Sequence, residues 1–213
     1  MKKYKVIFLD WNGTLSSSKF WGHLENEGYP NNYLFPVIEN SLFGNLRYLI
    51  NPWMRGVKTS EEVINEIAAD SKLDYDLIFR EFVTSCQKME LVSNEVKKLI
   101  KFFRNNGTKM VIATDNMDSF SRWTVPSLKL KNLFDNILDS STLKVLKNDF
   151  TSNGESLFFR KFMSQRKIKI GESMLIDDSD DKENRIQNYG INYLKIKSHI
   201  GLPGALDKLA RAL

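Results

Sequence analysis

The chain has 213 residues, 42% of them hydrophobic and 27% charged, with a formal net charge of +5 at pH 7. A chain of this length buries roughly 70% of its unfolded surface, and the composition is that of an ordinary globular protein, which excludes disordered and fibrous classes. No apolar run approaches the roughly 20 residues needed to cross a bilayer, so no membrane partner is expected.

Cys86 is the only cysteine. An intramolecular disulfide is therefore impossible, and a reducing, cytoplasmic location is the expectation. Met1-Lys2-Lys3 leads directly into a strand-like run without a small-residue cleavage site, so no signal peptide is expected. The positive charge permits anionic ligands. Lysines and arginines concentrate in residues 97–109 and 160–169, but both stretches have helical patterning and are expected to be solvated faces. Paired cysteines and a glycine-aromatic ribonucleoprotein signature are missing, so no nucleic-acid partner is expected.

In chain order, residues 4–9 form a short apolar run that ends at Asp10, and the turn Trp11-Asn12-Gly13-Thr14 follows at once. That pattern predicts a buried strand with a carboxylate at its lip. Residues 16–91 contain no convincing strand. Phe20, Trp21, Tyr29, Tyr33, Phe35, Phe43, Tyr48 and Trp53 concentrate aromatics there, against 12% in the whole chain. Thr59-Ser60-Glu61-Glu62 has capping-box spacing before a helix over 63–69, and a second helix is predicted over 74–89. The segment is expected to be a helical insertion with its own small core, from which one or two aromatics face a cleft.

Beyond it, strands are predicted at 109–114, 134–138, 173–176 and 192–196, and helices at 93–106, 117–131, 155–167 and 181–189. Ser93 caps the first of these helices and Gly107 ends it; Gly190 ends the last. The alternation predicts a doubly wound, Rossmann-like α/β fold with a parallel sheet. Ligands of such sheets sit at the carboxyl ends of the strands, where Asp10, Thr114 and Asp177-Asp178 fall.

Four ordered pieces of the chain resemble the haloacid dehalogenase (HAD) superfamily, a group of mostly phosphate-transferring hydrolases. Asp10-Trp11-Asn12-Gly13-Thr14 is similar to its first motif, DxDGT in most members. Ile112-Ala113-Thr114-Asp115-Asn116 is similar to the second, and Met174-Leu175-Ile176-Asp177-Asp178 to the fourth. Lys147 stands where the third-motif lysine is expected, with Lys144 as competitor, although Asn148 replaces the usual following proline. The resemblance implies a core over 1–15 and 92–213 and a helical cap over 16–91. Only 33 positions separate Thr114 from Lys147, too few for a cap in the later location.

The resemblance further implies Asp10 as nucleophile, forming an aspartyl-phosphate. Mg²⁺ is expected on Asp10, Asp177 and Asp178, with the backbone carbonyl of Asn12. Thr114, Asp115, Asn116 and Lys147 are expected to bind the phosphorylated substrate, and Lys147 to balance charge at the nucleophile.

Other readings of these residues are less specific. Thr114-Asp115-Asn116 alone would suit a helix cap. The acidic run Asp177–Asp181 fails as an EF-hand, because Lys182 and Asn188 occupy the positions that need glycine and glutamate. A receiver domain would reverse the order of the acidic pair and the phospho-acceptor. His23 and His199 have no motif context and are expected to be structural or exposed; Cys86 is expected to be a buried apolar residue.

Asn12 occupies the place of the family's general acid–base aspartate. An amide cannot protonate a leaving group, and losing such help typically costs on the order of 10²–10⁴ in rate. The expected function is a Mg²⁺-dependent phosphatase of a small phosphorylated metabolite, either of low turnover or acting on a leaving group that needs no proton, such as an acyl phosphate. The alternatives are a phosphonatase- or dehalogenase-type hydrolase and a noncatalytic module that binds a phospho-ligand or a protein.

Overall fold

The structure, a computed structural model, describes residues 4–213. The residue 1–3 start, on which the signal-peptide expectation rests, lies outside the described residues. Five parallel strands form one sheet in the order β3-β2-β1-β4-β5. They are β1 (Val6–Leu9), β2 (Lys109–Thr114), β3 (Asn136–Asp139), β4 (Ser173–Asp177) and β5 (Asn192–Lys195). Leu9 pairs with Ile112 on one side and Ile176 on the other, which brings the ends of β1, β2 and β4 level.

Both faces of the sheet are covered, which explains the continuous apolar runs. Ile7, Leu9, Ile112 and Ile176 pack against Val96, Ile100 and Phe103 of the helix Asn94–Asn105 and against Leu202 and Leu206. On the opposite face Val6, Phe8, Val111 and Leu175 meet Phe158, Phe159, Phe162 and Met163. The chain runs outward from β1 through β2 to β3 and then returns to β4 beside β1, so strand order reverses between β1 and β4. A doubly wound sheet opens its ligand crevice at that point.

Several elements differ from those expected; the helices expected over 155–167 and 181–189, for example, shorten to Arg160–Gln165 and Arg185–Tyr189. The single helix expected over 117–131 is broken into a wide turn at Phe120–Thr124 and short helices at Val125–Ser127 and Leu130–Leu133. Pro126 has no N–H to close a regular turn, and Lys129 adopts a left-handed φ of 52°. The strand expected from residue 134 begins at Asn136, because the Phe134 N–H closes the preceding helix on the Leu130 carbonyl. The helix Ser198–Ala210 was not expected at all. Gly201, Pro203 and Gly204 obscure its pattern, yet Leu202 and Leu206, one turn apart, are completely buried.

Between β1 and Asn94–Asn105 the chain is helical, with principal helices Leu34–Asn40, Ser60–Ser71 and Tyr75–Gln87. The predicted capping box forms: the Glu62 N–H donates to Thr59 Oγ1 and the Thr59 N–H to Glu62 Oε2. A second core gathers Trp21, Trp53, Ile64, Ile67, Ile78 and Phe82, and Met117 from the other side of β2 joins it. Tyr33, Phe43 and Tyr48, by contrast, are exposed. Cys86 is buried in this core, and burial pushes its thiol up to about 12. His23 is structural, its Nε2 lying 2.8 Å from the buried Glu81 carboxylate. No helix among the described residues is long and apolar enough to cross a membrane.

Several polar contacts join the helical layer to the α/β core, two of them near the carboxyl ends of the strands. Arg55 forms a two-pronged ion pair with Asp149, and the Ser140 hydroxyl donates to the Met54 carbonyl at 2.6 Å.

Candidate active site

The Asp10 N–H extends the β1–β4 ladder by donating to the Ile176 carbonyl at 3.1 Å. The chain then turns back, with Ser16 N–H on the Trp11 carbonyl and Gly13 N–H on the Ser16 carbonyl. Trp11 is fully buried with its ring 5.1 Å from that of Phe120, which anchors the turn in the core. Gly13 takes a φ of +72°, and a β-carbon there would lie 2.2 Å from Asp178 Oδ2. Only glycine lets the turn approach the fourth-strand carboxylate so closely.

Asp10, Asp177 and Asp178 offer carboxylate oxygens that all lie within 4.8 Å of one another. Lys147 stands beside them, its Nζ 3.0 Å from Asp10 Oδ1 and 2.6 Å from Asp177 Oδ2. Lys147 is only 7% exposed, and the loop that carries it is braced by the Lys147 N–H donating to Asp115 Oδ1 at 2.8 Å. Lys144, the competing lysine, is exposed and donates instead to the Gly56 carbonyl at 2.7 Å.

Burial dominates the electrostatics of the cluster. It pushes Asp10 up to about 6, against the attraction of Lys147 and with the repulsion of Asp177. Asp178 is raised by burial and by Asp177. Burial also works against charge on Lys147, but Asp10, Asp177 and Asp115 outweigh it and hold the ammonium charged. Asp177 ends below the usual carboxylate range: burial raises it, but Lys147 and the Ser179 hydroxyl and N–H prevail. One buried cation thus faces several carboxylates, an excess of negative charge that a divalent metal would offset.

Asp10 Oδ1, although 3.0 Å from the ammonium, has no aligned hydrogen-bond donor. The donor set is all-oxygen, as Mg²⁺ requires, and the orphaned oxygen on Asp10 fits a ligand role. The carbonyl of Asn12 accepts no hydrogen bond among the described residues.

The remaining predicted residues are distributed unevenly. Thr114 is completely buried and its hydroxyl has no partner. Thr14, singled out in the sequence only as part of the first motif, has a hydroxyl in the same condition. Asp115 is occupied in bracing the Lys147 loop. Asn116 accepts from the Met117 N–H and donates its own N–H to the Ser140 hydroxyl, while its Nδ2 lacks a partner.

Asn12 and Gly13 line a cavity of about 510 Å³. Its other walls are mainly apolar and come from the helical layer, among them Phe20, Leu42, Phe43 and Ile50, with Met117 from beyond β2. His199 also lines this cavity. The helix Ser198–Ala210, which the sequence pattern does not reveal, brings His199 to the first-motif turn.

The sequence matches no protein-family model and no curated protein. Its fold has clear counterparts. A HAD family enzyme from Bacteroides thetaiotaomicron, in a magnesium complex, is 16% identical over 92% of this chain and 95% of its own, with a TM-score of 0.69. A HAD-like family hydrolase from Porphyromonas gingivalis is 13% identical over 98% of both chains, with a TM-score of 0.68. L-2-haloacid dehalogenase from Xanthobacter autotrophicus is 13% identical over 91% of this chain and 77% of its own, with a TM-score of 0.62. The chain therefore adopts the HAD-like α/β fold.

Proposed function

We propose that the protein is a HAD-like hydrolase, and within that class a Mg²⁺-dependent phosphatase of a small phosphorylated metabolite. The observation that carries this reading is the convergence of Asp10, Asp177 and Asp178 beside the buried ammonium of Lys147. Carboxylate attack on a phosphoryl dianion needs positive charge on both partners. Lys147 supplies part of it, and Mg²⁺ held by Asp10, Asp178 and Asp177 would supply the rest as a Lewis acid.

Asp10 is the nucleophile in this reading, and its carboxylate forms the aspartyl-phosphate. The unpartnered hydroxyls of Thr114 and Thr14 are donors that a phosphoryl oxygen would satisfy; buried and unmet, each such group carries a desolvation cost of about 1–3 kcal/mol. Lys147 keeps Asp10 oriented and balances the transferring charge. The HAD family enzyme from Bacteroides thetaiotaomicron, solved with magnesium and inorganic phosphate, supports the same ligand pair here.

The helical segment over 16–91 acts as a cap that closes the site and selects the substrate. Because Phe20, Leu42, Phe43, Ile50 and Met117 line the cavity, the organic part of the substrate is substantially apolar. A dehalogenase reading is favoured by Asn12, since that chemistry needs no acid at the position. It is disfavoured by Asp177 and Asp178, whose charge would repel a carboxylate substrate without a cation between them.

The test is phosphate release from phosphorylated metabolites with Mg²⁺ for wild type, Asp10→Asn and Asn12→Asp. Mg²⁺-dependent release that vanishes in Asp10→Asn is the expected result. Release that survives Asp10→Asn overturns the nucleophile assignment. Silence from wild type and Asn12→Asp together, with no Mg²⁺ binding, supports a noncatalytic module instead.

A further inference from the structure

We propose that His199 performs the proton transfers that Asn12 cannot, protonating the leaving group and then activating the hydrolytic water. The inference rests on the phosphatase reading above. His199 is half-buried and lines the same cavity as Asn12 and Gly13. It is also fixed to the first-motif turn through its neighbour. The Ser198 hydroxyl donates to the Gly13 carbonyl at 3.3 Å and lies 3.1 Å from His199 Nδ1.

The relay is compatible with the tautomer that these proton transfers need. A hydroxyl has one proton; with that proton on the Gly13 carbonyl, Ser198 accepts from His199. Nδ1 then carries hydrogen, and Nε2 is the nitrogen left to exchange protons with a ligand. Ser198 holds this arrangement in a left-handed backbone conformation, φ +44°, which is unfavourable for a residue other than glycine. The strain marks a turn held in place by its surroundings, at the point where the chain leaves β5 beside Asp177.

Two other ionisable side chains line the cavity. Lys19 is paired with Glu25 at 2.8 Å, and Glu39 sits on the helix Leu34–Asn40 with no hydrogen bond toward the first-motif turn. Neither is tethered to the reacting end as His199 is.

The chemistry balances. Asp10 forms its bond to phosphorus as the bond from phosphorus to the organic oxygen breaks. The electron pair stays on that oxygen, which takes the Nε2 proton of protonated His199 and leaves as an alcohol. Water then gives a proton to the same Nε2 while its oxygen bonds to phosphorus and the phosphorus–Asp10 bond breaks. Asp10, protonated His199 and free phosphate are the products.

Leaving-group dependence tests the idea. Single-turnover release of p-nitrophenol and of phenol from their phosphate esters, with Mg²⁺, is measured for wild type, Asp10→Asn, His199→Gln, Glu39→Gln and the double variant Asn12→Asp/His199→Gln. p-Nitrophenolate departs without a proton, whereas phenolate needs one. His199→Gln is expected to slow phenol release on the order of 10²-fold or more and to leave p-nitrophenol release nearly unchanged. The double variant is expected to recover phenol release, and Glu39→Gln to keep the wild-type ratio between the two esters, whatever its effect on KM. Equal losses on both esters, or phenol release lost in Glu39→Gln and not in His199→Gln, overturn the inference alone. If wild type releases p-nitrophenol no faster than Asp10→Asn, the phosphatase reading falls as well.

Discussion

Gly13 and Asp178 are in contact across the β1–β4 switch point: the carboxylate of Asp178 occupies the space a β-carbon on residue 13 would need, 2.2 Å from the position of that carbon. The left-handed φ of +72° at Gly13 adds a second penalty for any side chain. Gly13→Ala is therefore expected to displace the first-motif turn or the Asp178 carboxylate and to lower stability by about 1–3 kcal/mol. Thermal denaturation reads the first effect. Titration with Mg²⁺ reads the second, as a loss of affinity larger than a surface glycine such as Gly154 would give when replaced by alanine.

Asp10 is held in a place unfavourable to its charge. Its carboxyl ionises at about 6 when folded and near 3.8 in an unfolded chain, chiefly through burial. The folded state thus binds the extra proton between these values, and stability falls as pH rises from about 4 to 6. Above pH 6 the full cost applies, of order 3 kcal/mol for a shift of about 2 units. Asp10→Asn removes the charge and is expected to raise the melting temperature above pH 6 without divalent cation, the gain shrinking toward pH 4. A melting temperature for Asp10→Asn below that of wild type at pH 7.5 would show that the Lys147–Asp10 attraction outweighs burial.

Much of this arrangement is legible in the residues themselves. Apolar runs ending at Asp10, Thr114 and Asp177 fix three strands and the edge on which the site lies, because alternating strands and helices leave few topologies. Lys147 is harder to recognise: it sits on an irregular loop, and its contact with Asp10 follows from sheet order, not local pattern. His199 leaves no signal in its own neighbourhood. Its position depends on β5 lying beside β4 and on a helix whose glycines and proline weaken its periodicity. The two unpartnered threonine hydroxyls are equally silent, since a hydroxyl that lacks a partner looks like any other in a sequence.

Lys147 and Lys144 differ in what they leave behind. Lys147→Met strands Asp10 and Asp177 as buried carboxylates without their cation, and a loss of about 3–5 kcal/mol is expected at pH 7.5. Lys144→Met loses an exposed donor to the Gly56 carbonyl and is expected to cost less than about 1 kcal/mol. Denaturant unfolding of the two variants measures the difference. Added Mg²⁺ should restore part of the Lys147→Met loss, since it provides positive charge to the same carboxylates, and should leave Lys144→Met unmoved.

In the proposed phosphatase, Ile50 would separate substrate selection from phosphoryl chemistry. It is half-buried and lines the cavity with Leu42 and Phe43, a lining that Asp10, Lys147, Asp177 and Asp178 do not share. Replacing it with serine removes apolar surface worth about 1–3 kcal/mol to a ligand group packed on it, or roughly 10–200-fold in discrimination. Ile50→Ser is expected to raise KM for phenyl phosphate by about that factor with little change in kcat, and to leave inhibition by inorganic phosphate as in wild type. In the proposed phosphatase, phosphate would meet the charged cluster alone, whereas the phenyl group would lie on the apolar wall. A fall in kcat with KM unchanged would instead place Ile50 among the groups that position the reacting atoms, and would move the substrate's organic part out of this cavity.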